Sequence, residues 1–249
     1  MAIKRRDFLR NTSMASILAL GIPEIVSAAM PKFSPLKISK GNTILFQGDS
    51  ITDSGRKKDD ILFNNPTSLG SGYVLQAAAE MLFTHADKEL KIYNKGISGN
   101  KVYQLAERWD KDCLEIKPDI LSILIGVNDY WHKHNGKYDG TVQVYQKDLI
   151  ALIERTLKAF PNIKLVMGEP FAVKGVKAVD DTWYPEFDTY RVAAKEIATQ
   201  FNAVFIPYQK VFDEAQKIAP GNYWTADGVH PTLAGTKLMA HAWLKAVKG

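Results

Sequence analysis

Four short segments of this chain carry residue types able to perform acyl transfer. The first is Gly48-Asp49-Ser50, directly after an apolar run at 43–47. A serine at the carboxyl end of a parallel strand lies where open α/β sheets place their ligands, and the glycine lets the backbone turn so that the hydroxyl faces the crevice. Taken alone, the triplet reads as well as a helix cap. The second is Gly96-Ile97-Ser98-Gly99-Asn100, where Gly99 would let a backbone N–H approach a substrate oxygen, or simply form a turn. In the third, Gly126-Val127-Asn128-Asp129, the Asn128 amide can donate to a developing oxyanion or make an Asx turn. The fourth, Asp227-Gly228-Val229-His230, spaces a carboxylate and an imidazole by three residues across a glycine. That reach lets the carboxylate take the Nδ1–H and leaves Nε2 to accept a hydroxyl proton, whereas a lone His there is an ordinary loop or capping residue.

Such groups need a frame that brings them to one edge. Apolar runs at 43–47, 90–93, 120–125, 164–167 and 203–206 read as buried strands. They alternate with amphipathic stretches at 73–85, 102–116, 142–160 and 186–200, and a last helix is expected at 233–247. Strand and helix in repetition, with strands apolar throughout, predict an α/β fold: a three-layer α/β/α sandwich, flavodoxin-like, on a five-stranded parallel sheet. Long loops fall at 52–72, 130–140 and 171–185, and all four chemical segments then lie at strand ends or just before the last helix.

Together, in chain order and at this spacing, the segments resemble the four signature blocks of the SGNH (GDSL-type) hydrolases: Gly-Asp-Ser, the block glycine, Gly-x-Asn-Asp and Asp-x-x-His. The resemblance spans nearly all of the chain after the leader. It is nearest the acetylxylan esterase branch through Leu69-Gly70-Ser71-Gly72-Tyr73-Val74, Arg108-Trp109, Lys117-Pro118-Asp119 and the stretch His230-Pro231-Thr232-Leu233-Ala234-Gly235. Gly228 departs from that branch. The resemblance implies Ser50 as nucleophile, His230 as general base and Asp227 as its partner, with the N–H groups of Ser50 and Gly99 and the Asn128 amide forming the oxyanion hole. It implies no cofactor and no metal. Asp49, Asp53 and Asp129 are expected to fix loop geometry. Tyr130 and Trp131, next to the oxyanion asparagine, are expected to close the acyl side of the pocket against long chains. The activity so implied is hydrolysis of short acyl esters, acetyl above all, on oligosaccharides such as xylan fragments. A lysophospholipase or thioesterase, and a non-catalytic carbohydrate-binding module, are the alternatives.

Composition fits this. Of 249 residues, 46% are hydrophobic and 24% charged, ordinary for a globular enzyme. The formal charge of +5 is scattered, without the basic stripe of a nucleic-acid binder, and no GxGxxG or Walker loop occurs. The single cysteine, Cys113, sits among Leu105, Trp109 and Ile116 and reads as a buried apolar residue. His132 and His134 flank Lys133, but no third metal ligand accompanies them. At the N-terminus Arg5-Arg6, an apolar run at 14–22 and the small residues Ser27-Ala28-Ala29 resemble a bacterial twin-arginine export signal. Residues 1–29 are therefore expected to be an export signal and 30–249 the hydrolase domain, periplasmic or secreted. Pro23 and Glu24 interrupt a run already too short for a stable membrane anchor.

Overall fold

A computed structural model describes residues 21–31 and 34–248. The apolar runs form β1 (Thr43–Gly48), β2 (Lys91–Asn94), β3 (Ile120–Leu124), β4 (Lys164–Gly168) and β5 (Val204–Ile206). They pair in one all-parallel sheet of order β2-β1-β3-β4-β5, the flavodoxin-like arrangement. After β1 the chain crosses to one side for β2 and returns to the other for β3. Loops leaving β1 and β3 therefore diverge at their carboxyl ends and open a crevice between them. Register keeps those ends level: Gly48 lies opposite Leu124, and Leu124 opposite Gly168.

The helices used below are, in chain order, α1 (Ile22–Ala29), α2 (Ser50–Asp53), α3 (Tyr73–Thr84), α4 (Val102–Glu107), α5 (Val127–His134), α6 (Val142–Ala159), α7 (Glu186–Gln200), α8 (Tyr208–Gln216) and α9 (Leu233–Lys248). α3, α8 and α9 pack on one face of the sheet, and α4, α6 and α7 on the other. On the first face the Trp243 indole donates to Ser122 Oγ at 3.0 Å, while its ring meets Phe46 at 4.8 Å between centroids. On the second face the Trp109 indole donates to Thr156 Oγ1 at 2.9 Å. Each tryptophan fills the core with one partner for its only donor, so none of its polarity is stranded. Cys113 is buried, and burial pushes its thiol up to about 12, which leaves it unreactive.

Two expectations about the elements needed correction. The helix expected across 102–116 breaks at Arg108, and a π-helical turn, Asp110–Leu114, follows. Arg108 is drawn inward instead, donating to Asn100 Oδ1 (2.9 Å), Gln47 Oε1 (3.1 Å), the Lys95 carbonyl (2.8 Å) and Asp112 Oδ2 (2.9 Å). The segment expected as a loop from 130 is helical as far as His134, because α5 begins after only Ile125 and Gly126 at the end of β3. Residues 1–20, with the twin arginine, lie outside the described residues. Ile25, Val26 and Ala29 of α1 are buried, with α1 packed on α8 and α9. Among the described residues no helix is long and apolar enough to cross a membrane.

Candidate active site

β1 delivers the chain into α2, whose first residue is Ser50. Asp49 caps that helix, its Oδ1 accepting from Ile51 N at 3.0 Å, so the serine is fixed on the first turn. Ser50 Oγ lies 2.8 Å from His230 Nε2, and His230 Nδ1 lies 2.7 Å from Asp227 Oδ2. The other oxygen, Asp227 Oδ1, accepts the backbone N–H groups of Val229 (2.9 Å) and His230 (2.8 Å). Partial burial raises the Asp227 carboxyl, but these backbone bonds and the His230 ring outweigh it and hold the group below the usual carboxylate range. An ionised Asp227 fixes the Nδ1–H tautomer and leaves Nε2 as the acceptor facing the serine hydroxyl.

The three expected oxyanion donors belong to the segments that follow β1, β2 and β3 at their carboxyl ends. The N–H of Ser50 begins α2 and, like that of Gly99, meets no acceptor among the described residues. Gly99 adopts φ +81 at a point where an added Cβ would meet nothing within 4 Å, so its requirement is conformational rather than steric. Asn128 stands in the first turn of α5, and one N–H of its amide reaches the Asn100 carbonyl at 3.3 Å. Two backbone N–H groups without acceptors and a side-chain amide are donors of the type that stabilises a charged oxygen.

The aspartates do what loop geometry requires. Asp53 Oδ2 accepts from Ser98 N (2.9 Å) and Ser98 Oγ (2.7 Å), tying the Gly99 turn to α2. Asp129 Oδ1 accepts from Val102 N at 3.2 Å, tying α5 to the start of α4. Asp49 Oδ2 and Asp129 Oδ2 are buried without partners, and burial pushes both carboxyls up to about 7.

Tyr130 does not face the site. Its side chain is 0% exposed, its ring packs on Trp183, Phe187 and Tyr190, and its hydroxyl donates to the Trp183 carbonyl at 2.9 Å. Helical periodicity accounts for this: at i+2 from Asn128 it points to the opposite side. Trp131, at i+3, is half-buried with its ring 6.3 Å from that of His230. Nor do the two nearby imidazoles converge. His132 meets Lys101 Nζ, whereas His134 meets Tyr130 Oη and Thr182 Oγ1.

Sequence reasoning missed what holds the Asp–His turn. Residues 173–179 fold over it, with Val173 N–H donating to the Gly228 carbonyl (2.7 Å) and Ala178 N–H to the Asp227 carbonyl (3.0 Å). Gly228 has φ +98, and a Cβ there would lie 2.5 Å from Val179 Cγ2 and 2.8 Å from the Val176 carbonyl oxygen. Only glycine lets the clamp close this tightly.

This geometry meets a match with the GDSL-like lipase/acylhydrolase family over residues 46–238. The chain belongs to that family. It is an ester-cleaving hydrolase in class, with a fold to match. It is 33% identical to an acetylxylan esterase from Geobacillus stearothermophilus over 214 residues, covering 85% of this chain and 96% of the relative. The crystal structure of an acetylxylan esterase from that organism superposes with a TM-score of 0.77 at 32% identity, covering 85% of this chain and 96% of the other. A protein from Parabacteroides merdae described as a GDSL-like lipase superposes with a TM-score of 0.84 at 49% identity, covering 86% and 99%.

Proposed function

We propose that the chain hydrolyses short-chain acyl esters, acetyl foremost, on oligosaccharides such as xylan fragments. The observation that carries the reading is the Ser50–His230–Asp227 relay. Ser50 Oγ attacks the ester carbonyl while His230 Nε2 takes its proton, and the oxyanion settles among Ser50 N–H, Gly99 N–H and the Asn128 amide. Collapse transfers that proton to the departing sugar oxygen and leaves acyl-Ser50. Water, deprotonated by the same His230, then releases the acid. Nothing in this cycle calls for a cofactor.

Support for acetyl and sugar comes from two sides. The relative named acetylxylan esterase shares a third of its residues with this chain. Trp131, expected on the acyl side, stands instead beside His230, where the alcohol departs, and an indole face suits a sugar ring. The test is an acyl series of p-nitrophenyl esters followed by acetylated xylo-oligosaccharides. Acetyl should give the highest kcat/KM, with activity falling beyond about four acyl carbons. An open apolar slot would instead gain up to about 0.8 kcal/mol per buried CH₂. Higher kcat/KM on octanoyl than on acetyl esters would replace this reading with a lysophospholipase or thioesterase.

We also propose, on Arg5-Arg6 and the apolar run that follows, that the protein is exported through a twin-arginine signal cut near Ala29. Ile25 and Val26 are buried in the folded chain, so a peptidase cutting there must first lift α1. N-terminal sequencing of the exported protein tests this, and an unprocessed chain in the cytoplasm would overturn it.

A further inference from the structure

The oxyanion helix carries a second polar residue on the face that bears Asn128. In α5, Asn128, Trp131 and His132 stand at i, i+3 and i+4, on one side of the helix. Trp131 leans toward His230, with ring centroids 6.3 Å apart. His132 leans the other way, its Nδ1 3.1 Å from Nζ of Lys101, the residue after the Asn100 that accepts the Asn128 amide.

The contact determines the chemistry of the imidazole. A lysine ammonium has three donors and no acceptor, so His132 Nδ1 must offer a lone pair. The proton of the neutral ring then sits on Nε2. Lys101 cannot easily swing away, being 6% exposed. Its ammonium lies 5.5 Å from the Tyr103 ring centroid and 5.2 Å from that of Tyr138, and these two rings stack on each other. Partial burial, then the charges of Lys101 and Lys137, lower the pKa of His132 and keep the ring neutral. Partial burial lowers the pKa of Lys101, and the charge of Asp129 on α5 opposes that shift. His132 Nε2 finds no acceptor among the described residues, yet it is not among the buried unpartnered atoms, so it is open to solvent.

We propose that His132 is a substrate-positioning residue whose Nε2–H, fixed by Lys101, donates to an oxygen of the carbohydrate part of the ester. This rests on the esterase reading of the cleft. An acetyl group offers no acceptor beyond its carbonyl, which the oxyanion hole occupies, so the oxygen bound must belong to the alcohol. Hydroxyl, ring and glycosidic oxygens all fit a neutral N–H, whereas the phenyl group of phenyl acetate has nothing to offer it.

Two measurements on the whole chain test this. Long-range ¹H–¹⁵N NMR should find His132 with a bare Nδ1 and a protonated Nε2, a preference lost in Lys101→Met and kept in Lys101→Arg. The ratio of kcat/KM for acetylated xylobiose to that for phenyl acetate should fall by about tenfold in His132→Phe, mainly through KM, and fall in Lys101→Met but not in Lys101→Arg. A protonated Nδ1 in the wild type, or a ratio unchanged in His132→Phe, would overturn the proposal. If Lys101→Met does not fold, the wild-type tautomer and the His132→Phe ratio still decide. A wild type with the expected tautomer that cleaves neither ester would overturn the esterase reading itself, and with it this use of His132.

Discussion

Asp53 and Ser98 are joined twice, the carboxylate Oδ2 accepting both the backbone N–H at 2.9 Å and the hydroxyl at 2.7 Å. One residue closes the nucleophile's helix and the other precedes Gly99, so the pair sets the distance between the attacking oxygen and a backbone donor of the oxyanion hole. Lys58 Nζ, 3.3 Å from the same oxygen, adds a more exposed contact.

Asp53→Ala should therefore lower kcat by about 10–100-fold with little change in KM, because misplacing a donor by about 1 Å costs on that scale. Steady-state kinetics on p-nitrophenyl acetate, beside a far-UV spectrum confirming the fold, check this. A rise in KM alone would make Asp53 a substrate-binding group.

Asn128→Ala should lower kcat by roughly 10²–10³-fold, the usual consequence of removing one oxyanion donor. The amide acts when charge develops, so KM should move little. Unchanged kcat with raised KM would assign Asn128 to ground-state positioning.

Gly228→Ala should damage stability and turnover together. A non-glycine residue in a left-handed conformation costs about 1–2 kcal/mol, and the Cβ would press on Val179 and the Val176 carbonyl. Adding Val179→Ala removes only the side-chain part of that clash, so the double variant should remain impaired. Thermal melts and kinetics of the single and double variants decide, and full recovery in the double variant would contradict the backbone argument.

Stability should fall as pH rises from about 4 to about 7, because burial raises Asp49 and Asp129 from 3.8 to about 7. In that window the folded chain holds protons that the unfolded chain has released. The stabilisation is complete at low pH and is lost as pH passes the folded pKa. Asp53 and Asp227, held low, act only at more acid pH. Asp129→Asn should flatten the decline, read as the slope of melting temperature between pH 5 and 7.5. An unchanged slope would show that Asp129 contributes nothing to it.

The parts of this molecule that were legible in its sequence are those governed by local pattern. The β3 run, Ile120–Leu124, is buried at every position, and such a continuous apolar run announces a central parallel strand. Ser50, Gly99, Asn128, Asp227 and His230 stood out because acyl transfer demands those groups, and the pattern put them at strand ends or just before the last helix. Tyr130 was misplaced because the segment after β3 was read as a loop, and without the 3.6-residue period its direction could not be assigned. The Arg108 break, the clamp of residues 173–179 on Gly228 and the Lys101–His132 contact were hidden for another reason. The clamp and the Lys101–His132 contact join residues dozens of positions apart, and Arg108 is drawn inward in part by Gln47, 61 residues away, so none of them carries a periodic signal along the chain.

Covalent labelling of the nucleophile tests the central claim most directly. The whole chain would be treated with diethyl p-nitrophenyl phosphate, digested and mapped by mass spectrometry, with hydrolysis of p-nitrophenyl acetate followed in parallel. One diethylphosphoryl group should appear on Ser50, and activity should vanish in proportion to its occupancy. Loss of activity with Ser50 unmodified, or undiminished turnover by a chain fully labelled at Ser50, would contradict the account.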